Sequence, residues 1–228
     1  MVQEAQKIER SIRERRDTDV PLVNYWIYVL VLSWLTLGIF PIIVYFQRII
    51  RIDKFIQRRR DYYPSVTGYT TSYAKETGQY DSVSTQLQDM KRRYDEEFEG
   101  SIKEINAPLA FLLSLVTFGI WGVYVLYRMN RVWDDLQRFE EGFDLELSAV
   151  WSKVGLSRYP IQFQRDPKKT RSFALYLILS IVTFGIWGIV WDYQIHTDPD
   201  RLYTEFHSAE DMVLQVVRQS SESIAKSV

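Results

Sequence analysis

His196, Asp198 and Asp200 are the residues in this chain whose types and spacing most resemble a chemical site, since an imidazole followed by two carboxylates suits a divalent metal. The same run also reads as a helix start, with Asp198 as the N-cap and Pro199 in the first helical position, and this second reading is the stronger one. His207 is the only other histidine, and the chain has no cysteine, so disulfides, thiolate metal sites and thiol catalysis are excluded. No phosphate-cradling glycine loop, dinucleotide fingerprint, H-E-x-x-H or G-x-S-x-G pattern occurs. The expectation is therefore a protein with no catalytic residue, no cofactor and no metal ligand, and not an enzyme.

A hydroxyl and glycine pattern recurs three times. Leu32-Ser33-Trp34-Leu35-Thr36-Leu37-Gly38-Ile39-Phe40-Pro41 aligns with Leu113-Ser114-Leu115-Val116-Thr117-Phe118-Gly119-Ile120-Trp121-Gly122 and with Leu179-Ser180-Ile181-Val182-Thr183-Phe184-Gly185-Ile186-Trp187-Gly188. Five positions are identical in all three, and the shared glycines lie 81 and 66 residues apart. Register persists past the motif: Asp53, Asp134 and Asp200 stand fifteen residues beyond the glycine, and Phe55, Leu136 and Leu202 seventeen. Each repeat is an apolar element plus the start of the polar helix after it. Ser and Thr three apart share a helix face and can bond back to carbonyls a turn earlier, while glycine weakens the helix. A kink or break is expected at Thr36, Gly38 and Pro41, at Thr117, Gly119 and Gly122, and at Thr183, Gly185 and Gly188.

These motifs sit in three stretches almost free of charge, Val20 to Phe46, Ala107 to Tyr127 and Phe173 to Trp191, although 25% of the 228 residues are charged. Each is about as long as the roughly 20 residues that cross a bilayer core as a helix. Tyr and Trp crowd their ends, as at a headgroup interface. The fold class expected is an all-α membrane protein: three repeated kinked or hairpin membrane helices joined by long amphipathic interfacial or cytosolic helices. The first stretch lacks the cleavage site of a signal peptide. Net charge is −1, which gives no general attraction for nucleic acid.

The stretch Arg171 to Leu202, with its L-S-I-V-T-F-G-I-W-G core, resembles the bacterial and archaeal membrane family called domain of unknown function 4234. The second copy resembles it equally, and the first departs at Pro41. The resemblance implies a multi-copy prokaryotic membrane protein and no known activity.

Two geometries remain open: bent helices that cross the membrane, or hairpins that dip into one leaflet and must satisfy the turn's backbone without help from lipid. If the chain alternates sides, Lys plus Arg number 14 on each, a tie that suits polar segments all on the cytoplasmic face of the cell membrane.

The polar parts divide as an N-terminal amphipathic helix (1–19), repeat 1 with a basic helix (20–60), a loop and amphipathic helix (61–106), repeat 2 with its helix (107–155), a linker (156–172) and repeat 3 with a C-terminal helix (173–228). Arg48, Arg51, Lys54 and Arg58, with Arg59 and Arg60, form a basic face expected to lie on the membrane and contact anionic lipid headgroups. Residues 61–81, rich in Tyr, Thr, Ser and Gly, read as loop. A helix from 83 to 105 follows, with Leu87, Met90, Tyr94, Phe98, Ile102 and Ile105 as its stripe. Such stripes cover one another within the chain or tile copies into a homo-oligomer. The functional expectation is a non-enzymatic membrane scaffold or membrane-shaping protein that self-assembles. An adaptor anchoring a protein partner on the polar side is the alternative, and a transporter is disfavoured because no charge lies within the apolar stretches.

Overall fold

The computed structural model describes residues 1–157, 161, 163 and 172–225, and among these the regular structure is entirely helical. The short helices α1 (Val2–Arg13) and α2 (Arg15–Thr18) lead into a first apolar arm built from α3 (Tyr25–Ile27), a wider π turn (Tyr28–Leu32) and α4 (Ser33–Leu35). Then come α5 (Ile39–Glu76), α6 (Tyr80–Arg93), a second π turn (Tyr94–Glu99), α7 (Ala107–Val116), α8 (Ile120–Lys153), α9 (Phe173–Val182) and α10 (Ile186–Ala225).

The three long helices run parallel. From α5 to α10, Arg51 reaches Asp200 at 2.7 Å, Arg58 reaches Glu210 at 2.6 Å and the Tyr69 hydroxyl donates to the Val217 carbonyl at 3.2 Å, so residue numbers climb together. From α5 to α8 the order is the same: Phe55 with Trp133, Arg59 with Glu140, and Thr70 with Trp151. Counted from the shared glycine, equivalent residues are buried in step in all three repeats, with Val44 in a smaller cluster beside Tyr25 and Tyr28. Six residues on lie Val44, Val125 and Trp191; ten on, Arg48, Met129 and Ile195; seventeen on, Phe55, Leu136 and Leu202. The layers continue with Val66, Leu147 and Val213 at twenty-eight and Thr70, Trp151 and Val217 at thirty-two. The steps of four, seven and eleven between these layers are sums of the threes and fours that make the seam of packed helices. The repeat therefore extends through the whole bundle.

A parallel bundle in one chain needs return paths. α6 is one: Ser82 meets Lys153, Arg93 meets Glu146 and Phe98 meets Phe139, an antiparallel course along α8. α1 is antiparallel to α5, with Ser11 at the Arg58 carbonyl and Glu4 beside Gly68.

Residues 61–81 are a correction. They are not a loop: α5 continues to Glu76, burying Tyr62, Tyr63, Val66, Tyr69, Thr70 and Ala74. Phenol and threonine side chains supply the core face here, which hides the helical period. Pro64 lies inside the helix and leaves the Arg60 carbonyl without its usual amide. The Tyr94 hydroxyl lies 3.0 Å from that carbonyl and 2.7 Å from the Glu99 carboxylate, so its one proton is shared between the two acceptors.

The helix expected over 83–105 ends its α course at Arg93 and is followed by the π turn to Glu99. The chain must then turn into α7. Asp53 holds that turn by accepting from the Ile105 and Asn106 amides at 2.7 and 2.9 Å, so one of the in-register aspartates positions the next repeat. Burial pushes its carboxyl above the ordinary value even against these two bonds. The linker expected at 156–172 falls largely outside the described residues.

Candidate functional site

Each apolar element is a helical hairpin. At the second, α7 ends at Thr117, the backbone turns left-handed at Phe118 (φ 50°) and Gly119 (φ 90°), and α8 begins at once. The Gly119 amide donates to the Ser114 carbonyl at 2.7 Å, closing the end of α7. Thr117 serves both helices: its hydroxyl donates to the Leu113 carbonyl at 2.7 Å and accepts from the Trp121 amide at 2.9 Å. The third hairpin repeats this through Thr183, with Leu179 at 2.7 Å and Trp187 at 2.9 Å. The first does so through Thr36, with Leu32 at 2.6 Å and Phe40 at 3.0 Å. Each element thus folds back on itself instead of running on as one bent helix, and threonine is the device that satisfies its turn.

Gly122 and Gly188 face the Ser114 and Ser180 hydroxyls, and a Cβ at either would stand 3.7 Å away, an ordinary contact, so the approach of the arms does not demand glycine. Pro41 replaces this glycine in the first repeat without altering the turn, where Leu37 and Gly38 have φ of 50° and 87°. It falls in the first turn of α5, where no amide partner is lost. What differs is the preceding arm, widened into a π turn.

The tip residues carry the most telling combination. Leu37 is 95% exposed, and Phe118 and Phe184 are 98% exposed, all with positive φ. A bulky side chain in that region is strained by about 1–2 kcal/mol, which a water-facing turn would avoid with glycine or asparagine. The three arms flank these tips with further exposed Leu, Ile, Val and Trp. Among the described residues, nearly all exposed large apolar side chains lie within 20–50, 109–124 and 175–193.

Because α5, α8 and α10 are parallel and each leaves its own tip, the three tips emerge at one end. Cross-contacts join the hairpins: Phe46 with Phe111 at 5.0 Å, Tyr127 with Phe173 at 5.3 Å, and Tyr25 with Tyr193 at 5.1 Å. α7 and α9 have ten residues each, about 15 Å of helix at 1.5 Å per residue. Among the described residues no helix is long and apolar enough to cross a membrane.

The basic face expected to meet lipid turns inward instead. Arg48 pairs with Asp192 and with the His196 ring, and Arg51 with Asp200 and the His196 carbonyl. Arg58 is bound between Asp19 and Glu210, both at 2.6 Å. Arg59, 1% exposed, meets Glu140 at 3.1 Å and Glu210 at 3.0 Å among the rings of Phe55, Tyr62, Tyr63 and Phe206. Only Lys54 is exposed, while Arg60 is half-buried between Glu99 and Glu104. The correction has a plain cause: the carboxylates that draw four arginines inward come from α8, α10 and the segment after α2, remote in sequence. Burial alone works against charge on Arg59, yet Glu140 and Glu210 hold its proton more tightly than an ordinary arginine. Burial would likewise raise Asp19, but its bond to His207 and the charge of Arg58 keep its carboxyl below the usual range.

The His196, Asp198, Asp200 run is not a helix start. α10 passes through it unbroken with Pro199 inside, and among the described residues no cluster suits a metal. His196 Nδ1 accepts from Arg48 at 3.2 Å and Nε2 donates to the Val23 carbonyl at 2.7 Å, fastening the start of the first hairpin to α10. The amphipathic stripes meet one another inside the chain, with Leu87, Met90, Phe98, Leu136, Phe139, Leu202, Phe206, Ile8 and Ile12 all in the core.

The family model described as a domain of unknown function, DUF4234, matches residues 171–221, which hold the third hairpin and most of α10. No curated protein and no solved structure matches the chain.

Proposed function

We propose that this chain is a non-enzymatic membrane protein that seats three apolar hairpins in one leaflet of the bilayer and thereby scaffolds or shapes it. The observation that carries this reading is the set of tips: Leu37, Phe118 and Phe184, fully exposed and held in a strained conformation at one end of a parallel bundle. Lipid is the surrounding in which a bulky apolar side chain at such a turn is favoured over glycine. Arms of about 15 Å match half of a hydrocarbon core of about 30 Å. The Thr bonds within each turn meet the requirement that lipid leaves to the protein, an internally satisfied backbone.

Six helical arms, each about 10 Å across, displace lipid from one leaflet only, and the resulting area difference bends the membrane. The amphipathic faces that would tile copies are spent inside the protomer, so copies gather through the hairpins and the lipid around them. Leu37→Glu, Phe118→Glu and Phe184→Glu combined should abolish flotation with phosphatidylcholine vesicles while the helical circular dichroism persists. Undiminished flotation would overturn the reading, and vesicles left round and unchanged by bound wild-type protein would remove its shaping part. The chain has no cysteine to interfere, so single cysteines placed in α1, α6, α8 and α10 should all label from the same side.

A further inference from the structure

The bases of the three hairpins share a backbone plan but not a chemistry. Nine and twelve residues past the glycine, the second repeat has Arg128 and Arg131, where the first has Gln47 and Ile50 and the third Gln194 and Thr197. Beside this pair lies a cavity of about 150 Å³ lined by Ser101, Tyr124, Tyr127, Arg128, Arg131 and Asp135. Its size admits a phosphate with part of its ester.

Arg128 gives one guanidinium nitrogen to the Lys103 carbonyl at 2.7 Å, which fixes the side chain at the cavity wall. Arg131, with 56% of its side chain exposed, contacts the Tyr127 hydroxyl at 2.5 Å and Asp135 at 3.1 Å. Two guanidinium groups against one lining carboxylate leave a positive balance. Asp53, whose carboxyl feels the charge of Arg128, accepts hydrogen bonds from the Ile105 and Asn106 amides and does not line the cavity. Tyr124 is exposed at the outer edge.

Depth decides what the cavity faces. Arg128 stands about 14 Å and Arg131 about 18 Å from the tip at 1.5 Å per residue. Hydrocarbon ends about 15 Å from the bilayer centre and headgroups occupy the next few ångströms. Arginine forks suit phosphate oxygens, and phenols settle at this level.

We infer that the base of the second hairpin holds the phosphate of one anionic phospholipid from the leaflet in which the hairpins sit. This rests on the insertion reading above and adds to it a single headgroup site, distinct from the inward-turned arginines of α5.

The test is partitioning of the full chain onto vesicles of phosphatidylcholine, with and without phosphatidylglycerol. Wild-type protein should bind both and gain about tenfold with phosphatidylglycerol. Arg128→Gln with Arg131→Gln should keep the neutral binding and lose that gain. Lys91→Gln with Arg92→Gln, which removes two cations from the exposed side of α6 far from the tips, should retain it. Millimolar glycerol 3-phosphate should not reverse the gain. The inference is overturned if the Arg128 and Arg131 variant keeps the gain, if the α6 variant loses as much, or if glycerol 3-phosphate competes, which would make the site one for soluble phosphate. Wild-type binding to neutral vesicles without any gain also overturns it and leaves insertion standing. Failure to bind neutral vesicles overturns insertion itself.

Discussion

Arg59 and Glu140 hold the same place in their repeats, twenty-one residues past the shared glycine, and meet across the bundle at 3.1 Å. Phe206 completes the layer in the third repeat, its ring 5.2 Å from the Arg59 guanidinium. One structural position has thus become a cation, an anion and an aromatic ring. A layer of this kind fixes the register of α5 against α8, because a slip of one helix along the other would bury an unmatched charge.

Arg59→Met should destabilise the bundle by about 3–5 kcal/mol, since it removes the buried cation that faces Glu140, while Glu210 keeps Arg58 and Arg15. Chemical denaturation in detergent followed by circular dichroism measures it. A loss below about 1 kcal/mol would mean that the charges are not held as described.

Tyr94→Phe removes the hydroxyl that serves the carbonyl freed by Pro64, and should cost about 1–3 kcal/mol. Adding Pro64→Ala restores the amide to that carbonyl and should recover part of the loss. Additive effects in the double variant, with no coupling, would contradict the link between the two residues.

Thr117→Val keeps the shape of the tip but leaves the Trp121 amide unserved, while Thr117→Ser keeps the hydroxyl. Protease resistance of vesicle-bound protein should fall in the valine variant and stay in the serine variant. Gly119→Leu places a branched side chain at φ 90° and should misdirect the hairpin more severely than either. Equal behaviour of all three would remove the role given to the turn.

His196 gives the fold a pH dependence near neutrality. Burial lowers its pKa below 6.5, helped by the charges of Arg48 and Arg51 and opposed by its bond to the Val23 carbonyl and by Asp192. The folded state holds the neutral ring, so its contribution is complete above pH 6.5 and is lost as pH falls through the lower folded value. The melting temperature should drop between pH 7 and 5, and His196→Gln should flatten that slope. Asp200 acts with the opposite sign, since burial raises its carboxyl above 3.8 despite Arg51, and Asp19 matters only below 3.8. Comparison with the His196 variant isolates the imidazole from both.

The turn and the repeat were legible because Thr, Gly and the apolar run recur at fixed spacing. The count that paired Phe55 with Leu136 and Leu202 continues unbroken to Thr70, Trp151 and Val217. It was obscured where Tyr62, Tyr63, Tyr69 and Thr70 stand in for aliphatic core residues around Pro64. The destination of Arg48, Arg51, Arg58 and Arg59 was not legible at all. A basic stripe looks the same whether it faces phosphate or buried carboxylate, and the deciding partners, Asp19, Glu140, Asp192, Asp200 and Glu210, are 39 to 152 residues away. Asp198 and Pro199 copied the signature of a helix start inside a helix that packing carries through.

Three tips that leave one bundle at equal register are three points, and three points fix a plane. In the leaflet seating proposed above, a single hairpin would let the protein lean and swivel, whereas a tripod would set its axis upright. The layers from ten to thirty-two residues past the glycine then form a post about 33 Å tall at 1.5 Å per residue. Under that proposal its far end, where Glu76 and Lys153 close α5 and α8, would be held at a constant height above the lipid.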